Sequence, residues 1–358
     1  MMSYFLRRLL MVPITFILIT LMVYAVFRKT PGGPIERAEM MLRQSQATEG
    51  GGGAAELTGG EGLTKEQKEQ LLKHFHLDRS IPVGYLIWLG VWPNDSGHFS
   101  GILEGDFGRS YRYNDPVLSQ IASKFPVSIY FGLIGYIASW IVCIPLGIFK
   151  ALKHRSLFDT GTSFLVFLGY SIPGFVAALL LMLFFATDNY GMKIFPLGDF
   201  RSQNWNAMWE AGNYWWCIKD QISHTIIPLI AYMMASFAAM TILMKNSLLD
   251  NLGADYVRTA FAKGLPERRV IFLHALRNSL IPICVGIGNA LGLIFAGSFL
   301  IEKTCNIDGM GLLGYNSLLE RDYPILLGLL AIGVMLRLVG NILSDIILAW
   351  VDPRVRFQ

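Results

Sequence analysis

Residues 245–282 read KNSLLDNLGADYVRTAFAKGLPERRVIFLHALRNSLIP, a polar, basic stretch between two long apolar ones. It is too polar to lie in lipid and too regularly patterned for a slack linker. Leu249, Leu252, Tyr256 and Ala260 recur at three- and four-residue steps, with Gly253, Val257 and Phe261 beside them, which predicts one face of a helix. Gly264 breaks that run. A second helix is expected from Pro266, because proline suits the first turn of a helix and Glu267 suits its positive end. Arg268 and Arg269 near that start oppose the helix dipole by roughly 0.3–1 kcal/mol each when exposed. Either a group outside the helix compensates them, or they mark a cytoplasmic loop that touches lipid headgroups. Two short helices meeting at a glycine make a compact protrusion suited to docking in a groove of another protein.

The 358 residues around this stretch are 53% hydrophobic and only 16% charged, far more apolar than a soluble domain, so the chain reads as an all-α polytopic membrane protein. A formal charge of +4, with no basic block interleaved with aromatics, argues against a nucleic-acid partner. The six histidines are scattered without ligand spacing, and no GxxxxGK[ST], GxSxG or catalytic carboxylate pair is recognisable. No cofactor, metal or catalytic residue is therefore expected. Cys143 and Cys284 fall inside apolar runs as small core residues. Cys217 and Cys305 fall on one side of the membrane, where pairing depends on their Cα atoms coming within bridging reach.

Working outward, residues 1–30 carry Arg7 and Arg8 before an apolar run from Leu9 to Phe27, too long for a signal-peptide core and followed by no small-x-small cleavage site. This is expected to be an uncleaved first transmembrane helix. Residues 31–126 hold no run long enough to span a bilayer and are expected outside it. Within them, seven of the fourteen residues in 49–62 are glycine, which reads as a flexible loop. Thr64 and Gln67 form a capping-box pattern for a helix through about His76. Five further apolar runs, 127–149, 160–187, 224–244, 280–301 and 325–350, each have about 20 residues or more, enough to cross ~30 Å of hydrocarbon. The core is thus 127–350, with the polar loop 245–282 inside it and a tail at 351–358.

Six spans put both termini on one side, and the cations choose which. Arg7, Arg8, Lys150, Lys153, Arg155, the six cations of the 245–282 loop singled out by position (Lys245, Arg258, Lys263, Arg268, Arg269, Arg277), Arg354 and Arg356 outweigh Lys193, Arg201, Lys219, Lys303 and Arg321 opposite. The termini and the 245–282 loop are therefore expected in the cytoplasm. Pro145, Pro173 and Pro228 fall inside spans, where each frees a carbonyl; a bundle lining a pathway and plain kinked packing both fit. Arg337 falls near the middle of the last span, where a cation costs ~2.5–3.5 kcal/mol, so it is expected to face the bundle interior or a partner and not lipid. Asn341 and Asp345 follow at i+4 and i+8 on the same face, as an interhelical contact or a pathway lining. Gly286, Gly288 and Gly292 predict close helix packing.

DYVRTAFAKGLPERR followed by HALRNSLIP resembles the ATPase-docking loop of permease subunits of ABC importers, in the oligopeptide/dipeptide branch. Arg258, Thr259 and Ala260 fill the slots of the generic Glu-Ala-Ala and Gly264 is the glycine that follows; Phe261 departs from the arginine common in that branch. PGGP at 31–34, GSFLIEKTCNIDGMGLLGYNSLLERDYP at 297–324, VDPR at 351–354 and the glycine-rich insertion extend the likeness over nearly the whole chain. Together they look most like the Yej-type permeases of Gram-negative bacteria. The resemblance implies a type I importer (MetI-like) core, supplying half of a pathway for oligopeptides or peptide-like compounds such as microcin C. It implies a bacterial inner-membrane location, a second homologous permease, cytoplasmic ABC ATPase subunits that hydrolyse the ATP, and a periplasmic peptide-binding protein, besides membrane lipid. It also implies that Asp255, Tyr256, Arg258, Thr259, Ala260, Lys263, Gly264, Arg268 and Arg269 meet the ATPase, whose closure drives an inward-to-outward switch. The alternative is a transporter or channel driven by an ion gradient, which would want acidic or histidine residues in mid-span, where the sequence offers chiefly Arg337 and Asp345.

Overall fold

The computed structural model describes residues 2–30, 78–94, 97–188 and 192–351. The glycine-rich stretch 49–62, the helix expected from Thr64, PGGP and the tail from Asp352 lie outside these residues. The described residues are helical apart from turns, loops and an isolated antiparallel bridge between Arg109 and Pro116. In chain order the helices are α1 (Met2–Lys29), α2 (Ile81–Leu89), α3 (Val117–Leu152), α4 (Leu157–Ser171), α5 (Gly174–Phe185), α6 (Trp205–Glu210) and α7 (Tyr214–Leu252). There follow α8 (Asp255–Ala262), α9 (Glu267–Arg269), a π turn over Val270–Ala275, α10 (Leu276–Ser279), α11 (Ile281–Val285), α12 (Ile287–Ala296), α13 (Phe299–Thr304), α14 (Met310–Leu319) and α15 (Tyr323–Val351).

Among the described residues, α1, α3 and α15 are long and apolar enough to cross a membrane unbroken. Two more crossings are available if bent pairs count as single spans: α4 with α5, bent by 97°, and the two halves of α7, bent by 56°. The bend between α4 and α5 comes at Pro173, which caps α5 and has no N–H to continue α4. Pro145 and Pro228, by contrast, lie inside continuous helices, and the α7 bend falls after Met234, not at Pro228. The remaining expected span, 280–301, is not one long helix. It is divided at Gly286 and again at Gly297, whose φ of +63° no chain-continuing helical residue adopts.

The chain forms two compact units, one from Met1–Val12, Lys124–Leu313 and Gly333–Gln358, the other from Pro13–Ser123 and Gly314–Ile332. In the second unit Tyr85 of α2 shares a 2.8 Å hydrogen bond with Thr20, and Tyr24, Tyr85 and Trp88 form an aromatic trio. The same unit is pinned by Asp322, which is buried and accepts hydrogen bonds from the Ser110 hydroxyl and the Tyr111 N–H (3.1 Å), so GRSYRYND at 108–115 folds onto ERDYP.

The first unit has two apolar cores. One gathers Phe131, Ala178, Met182, Ile227, Ala231, Ile301 and Ile307. The other gathers Ile148, Ala151, Met244, Leu248, Val257, Ala260, Val270, Ala275 and Ile283, and therefore binds the ends of α3 and α7 to the 245–282 segment. Small residues let these backbones approach: a Cβ on Gly147 would lie 2.6 Å from that of Met244, and one on Gly288 would lie 2.1 Å from the Gly340 carbonyl oxygen. The expected close packing at VGIGNALG is thus made chiefly by Gly288, against α15.

Candidate functional site: the exposed two-helix protrusion

The single helical face expected across 249–260 is two faces. The α7 helix stops at Leu252, Gly253 caps it, and α8 starts afresh with Asp255 in its first turn, where a carboxylate favours the positive end. Val257 and Ala260 turn inward and are buried, while Tyr256 and Phe261 are exposed. The apolar periodicity runs on across the break, which is why the sequence pattern joined the two helices.

Gly264 ends α8 with φ +76°. Its N–H bonds to Phe261 O at 2.9 Å, and the Leu265 N–H bonds to Ala260 O at 3.4 Å. These paired bonds are the Schellman arrangement, which satisfies two otherwise unpartnered carbonyls and turns Leu265 back against the apolar core. Pro266 then stands just before the first turn of α9, not within it, and its carbonyl accepts from Arg269 and Val270 at 2.9 and 3.1 Å. The π turn follows at once. Its wider register buries Val270, Ile271 and Ala275 and sets Phe272 and Leu273 side by side outward, each 54% exposed.

Of the residues expected to meet an ATPase, Asp255, Tyr256, Arg258, Thr259, Lys263, Gly264, Arg268 and Arg269 lie exposed. Ala260 does not: it is buried in the core, so its small side chain serves packing and is withdrawn from the outer face. The outward surface combines cations with Tyr256, Phe261, Phe272 and Leu273, and sequence reading missed the last two because a 3.6-residue period assigns no common outward face to a π turn. Within it Tyr256 donates to Asn251 Oδ1 at 2.6 Å and Thr259 donates to Asp255 O at 2.9 Å.

The three intramembrane polar residues divide. Asp345 forms an ion pair with Arg8 at the start of α1, and Arg8 also reaches Asn341 O at 3.5 Å. Arg337 is exposed on the surface of the chain, beside Gly292, and so does not face the bundle interior. The three still share one face of the continuous helix α15, at i, i+4 and i+8, but with different neighbours.

A buried acid that sequence reading passed over is Glu302 on α13, 1% exposed. It accepts from Tyr232 Oη (3.2 Å), Ser298 N (3.1 Å) and Leu312 N (2.7 Å). A Cβ on Gly297 or Gly309 would collide with its carboxylate. The signal available in GSFLIEKTCNIDGMG was a lone acid ringed by glycines in apolar sequence. Cys217 and Cys305 are each buried and unbridged; burial pushes the Cys305 thiol up to about 12, and Cys217 Sγ faces Trp205 O at 3.7 Å.

The nearest arrangement to a hydrolase is Ser202, Asp220 and His224. Here the serine hydroxyl lies 2.5 Å from Asp220, and His224 Nδ1 faces the Gly198 and Asp199 carbonyls. His224 Nε2 stands 3.2 Å from the Ser202 hydroxyl and 3.6 Å from Asp220, and backbone carbonyls, where a hydrolase triad has a carboxylate, orient its Nδ1. Among the described residues no group of His, Cys, Asp and Glu is placed to hold a metal ion.

Residues 143–357 match the family described as "Binding-protein-dependent transport system inner membrane component". Similar proteins include the "Peptidoglycan transport system permease protein YejB" of Agrobacterium fabrum, 36% identical with 99% of this chain and 98% of that protein covered. The "Inner membrane ABC transporter permease protein YejB" of Escherichia coli O157:H7 is 34% identical, with 99% of each covered. The "Oligopeptide transport system permease protein AppB" of Bacillus subtilis is 30% identical over the full length of both.

Proposed function

The chain belongs to the binding-protein-dependent transport system inner membrane components, and from that premise we propose that it is the permease subunit of an ATP-driven importer of peptides or peptide-like compounds. It supplies half of the translocation pathway, a homologous permease supplies the other half, and separate cytoplasmic subunits hydrolyse ATP. A periplasmic binding protein delivers the cargo; similar proteins named for oligopeptide and for peptidoglycan transport support a peptide or peptide-like cargo. Both termini and the 245–282 segment face the cytoplasm, and 31–126 faces the periplasm.

The observation that carries this reading is the protrusion made by α8, α9 and the π turn. Its inner face is fixed to α3 and α7 by one apolar core, and its outer face carries exposed aromatics among cations. An element mounted that firmly transmits force, and one exposed that widely meets a partner. The direct test is capture: the intact chain in mild detergent should retain an ABC ATPase, and Tyr256→Ala combined with Phe272→Ala should release it without loss of membrane insertion. Equal retention by both forms would refute the assignment of the docking face. Uptake that follows an imposed ion gradient after ATP is exhausted would refute the ATP-driven reading itself.

A further inference from the structure

Lys150, Asp159 and Lys245 form a buried polar joint behind the protrusion. Asp159, in the first turn of α4, has its two carboxylate oxygens each 2.8 Å from Lys245 Nζ of α7, and one of them 3.1 Å from Lys150 Nζ of α3. The Arg155 N–H adds a bond of 3.1 Å. Lys150, 1% exposed, also donates to Asp159 O, Thr162 Oγ1 and Ser163 Oγ at 2.9, 3.0 and 2.7 Å, so its ammonium group is fully committed. His154 Nδ1 stands 3.4 Å from the same carboxylate.

Such a cluster is a poor way to gain stability, because desolvating the charges offsets most of their attraction, and apolar side chains of similar size would serve as well. What it adds is direction. Apolar packing resists separation but has no directional preference, whereas charge-assisted hydrogen bonds fix one register between helices. The placement of the lysines is informative here. Lys150 lies between Ile148 and Ala151, and Lys245 between Met244 and Leu248, and these four apolar residues share a core with Val257, Ala260, Val270 and Ala275 of the protrusion. Force on the protrusion therefore reaches the very turns whose lysines hold Asp159, and beyond Asp159 lies α4, which leads to the 97° bend into α5.

We propose that Asp159 is a positioning residue for transport: through Lys245 and Lys150 it makes α4 follow the docking protrusion, and so couples ATP hydrolysis to rearrangement of the α4–α5 pair. The proposal rests on the protrusion being the ATPase-docking element. The test uses the full complex with its ATPase and binding protein in lipid vesicles, measuring ATPase retention, ATP hydrolysis, and peptide taken up per ATP. Asp159→Asn should retain the ATPase and hydrolyse ATP, while uptake per ATP falls about tenfold. Lys245→Arg, which keeps the charge and the donors, should stay within about twofold of wild type. If Asp159→Asn does not fold, the pair Asp159→Leu with Lys245→Met leaves Lys150 its Thr162, Ser163 and backbone partners and should show the same uncoupling. Wild-type uptake per ATP in either uncoupling variant overturns the proposal, as does a loss of uptake that only mirrors loss of the ATPase subunit. Failure of the wild-type chain to hold an ATPase overturns the docking reading instead.

Discussion

Replacing Gly264 isolates the backbone conformation at the turn of the docking protrusion from every other contact. A Cβ placed there meets nothing within 4 Å, so side-chain overlap contributes no cost. What remains is the left-handed conformation at φ +76°, which costs an L-residue roughly 1–2 kcal/mol and a β-branched one toward 3 kcal/mol. If the chain relaxes to escape that strain, it loses the Gly264 and Leu265 N–H bonds and pulls Leu265 from the core. At 1.4 kcal/mol per factor of ten, Gly264→Val should weaken ATPase binding on the order of 30- to 100-fold and Gly264→Ala about tenfold. Gly264→Asn should stay within about threefold, because asparagine tolerates the left-handed region. The assay is equilibrium binding of the purified ATPase to the detergent-solubilised full-length chain, with membrane insertion checked in parallel. Valine, alanine and asparagine variants that bind equally, or a valine variant with normal ATP-coupled uptake, would refute the conformational argument.

Three other outcomes are expected. Gly288→Ala puts a methyl group into the Gly340 carbonyl and should destabilise the purified chain by about 1–3 kcal/mol, seen as a lower thermal midpoint in detergent; an unchanged midpoint would show that α12 and α15 do not approach this closely. Glu302→Gln presents an amide NH2 where the carboxylate accepts from Ser298 N or Leu312 N, and should cost about 1–3 kcal/mol by the same measurement. A neutral result there would mean the glycine-ringed acid is not bonded as described. Arg337→Leu, at an exposed position, should leave the stability of the isolated chain within about 0.5 kcal/mol while reducing recovery of the second permease subunit; equal recovery would remove the residue from that interface.

The sequence disclosed the membrane class and the protrusion because both rest on local signals: long apolar runs, a basic polar interval, and a glycine and a proline at 264 and 266. It misplaced what depends on backbone breaks with weak local signatures. Gly253 ends α7 at an ordinary negative φ, so nothing in the apolar steps from Leu249 to Ala260 announces it. The run 280–301 is apolar enough to span, yet Gly286 and Gly297 divide it into short helices, because hydropathy does not register chain direction. Arg8 lies more than three hundred residues from Asp345, and no periodicity links them.

Two of the buried acids, Glu302 and Asp159, were equally illegible, and for the same reason, since their partners are backbone groups, a tyrosine or lysines of other helices. Yet they differ in what they allow to move. Glu302 is held by N–H groups of its own loop and by Tyr232, donors fixed in place by the fold, so releasing it means unfolding the turn from Gly297 to Leu312. Asp159 is held by ammonium groups from two other helices, α3 and α7, so those bonds tie α4 to separate elements and not to its own loop. A carboxylate bound by backbone donors holds a local shape through a cycle, whereas one bound by two lysines from two helices passes displacement between them. By that distinction Glu302 is a bracket and Asp159 a joint. Uncoupling of uptake from ATP hydrolysis should therefore arise at Asp159, while substitutions at Glu302 should lower uptake and stability together.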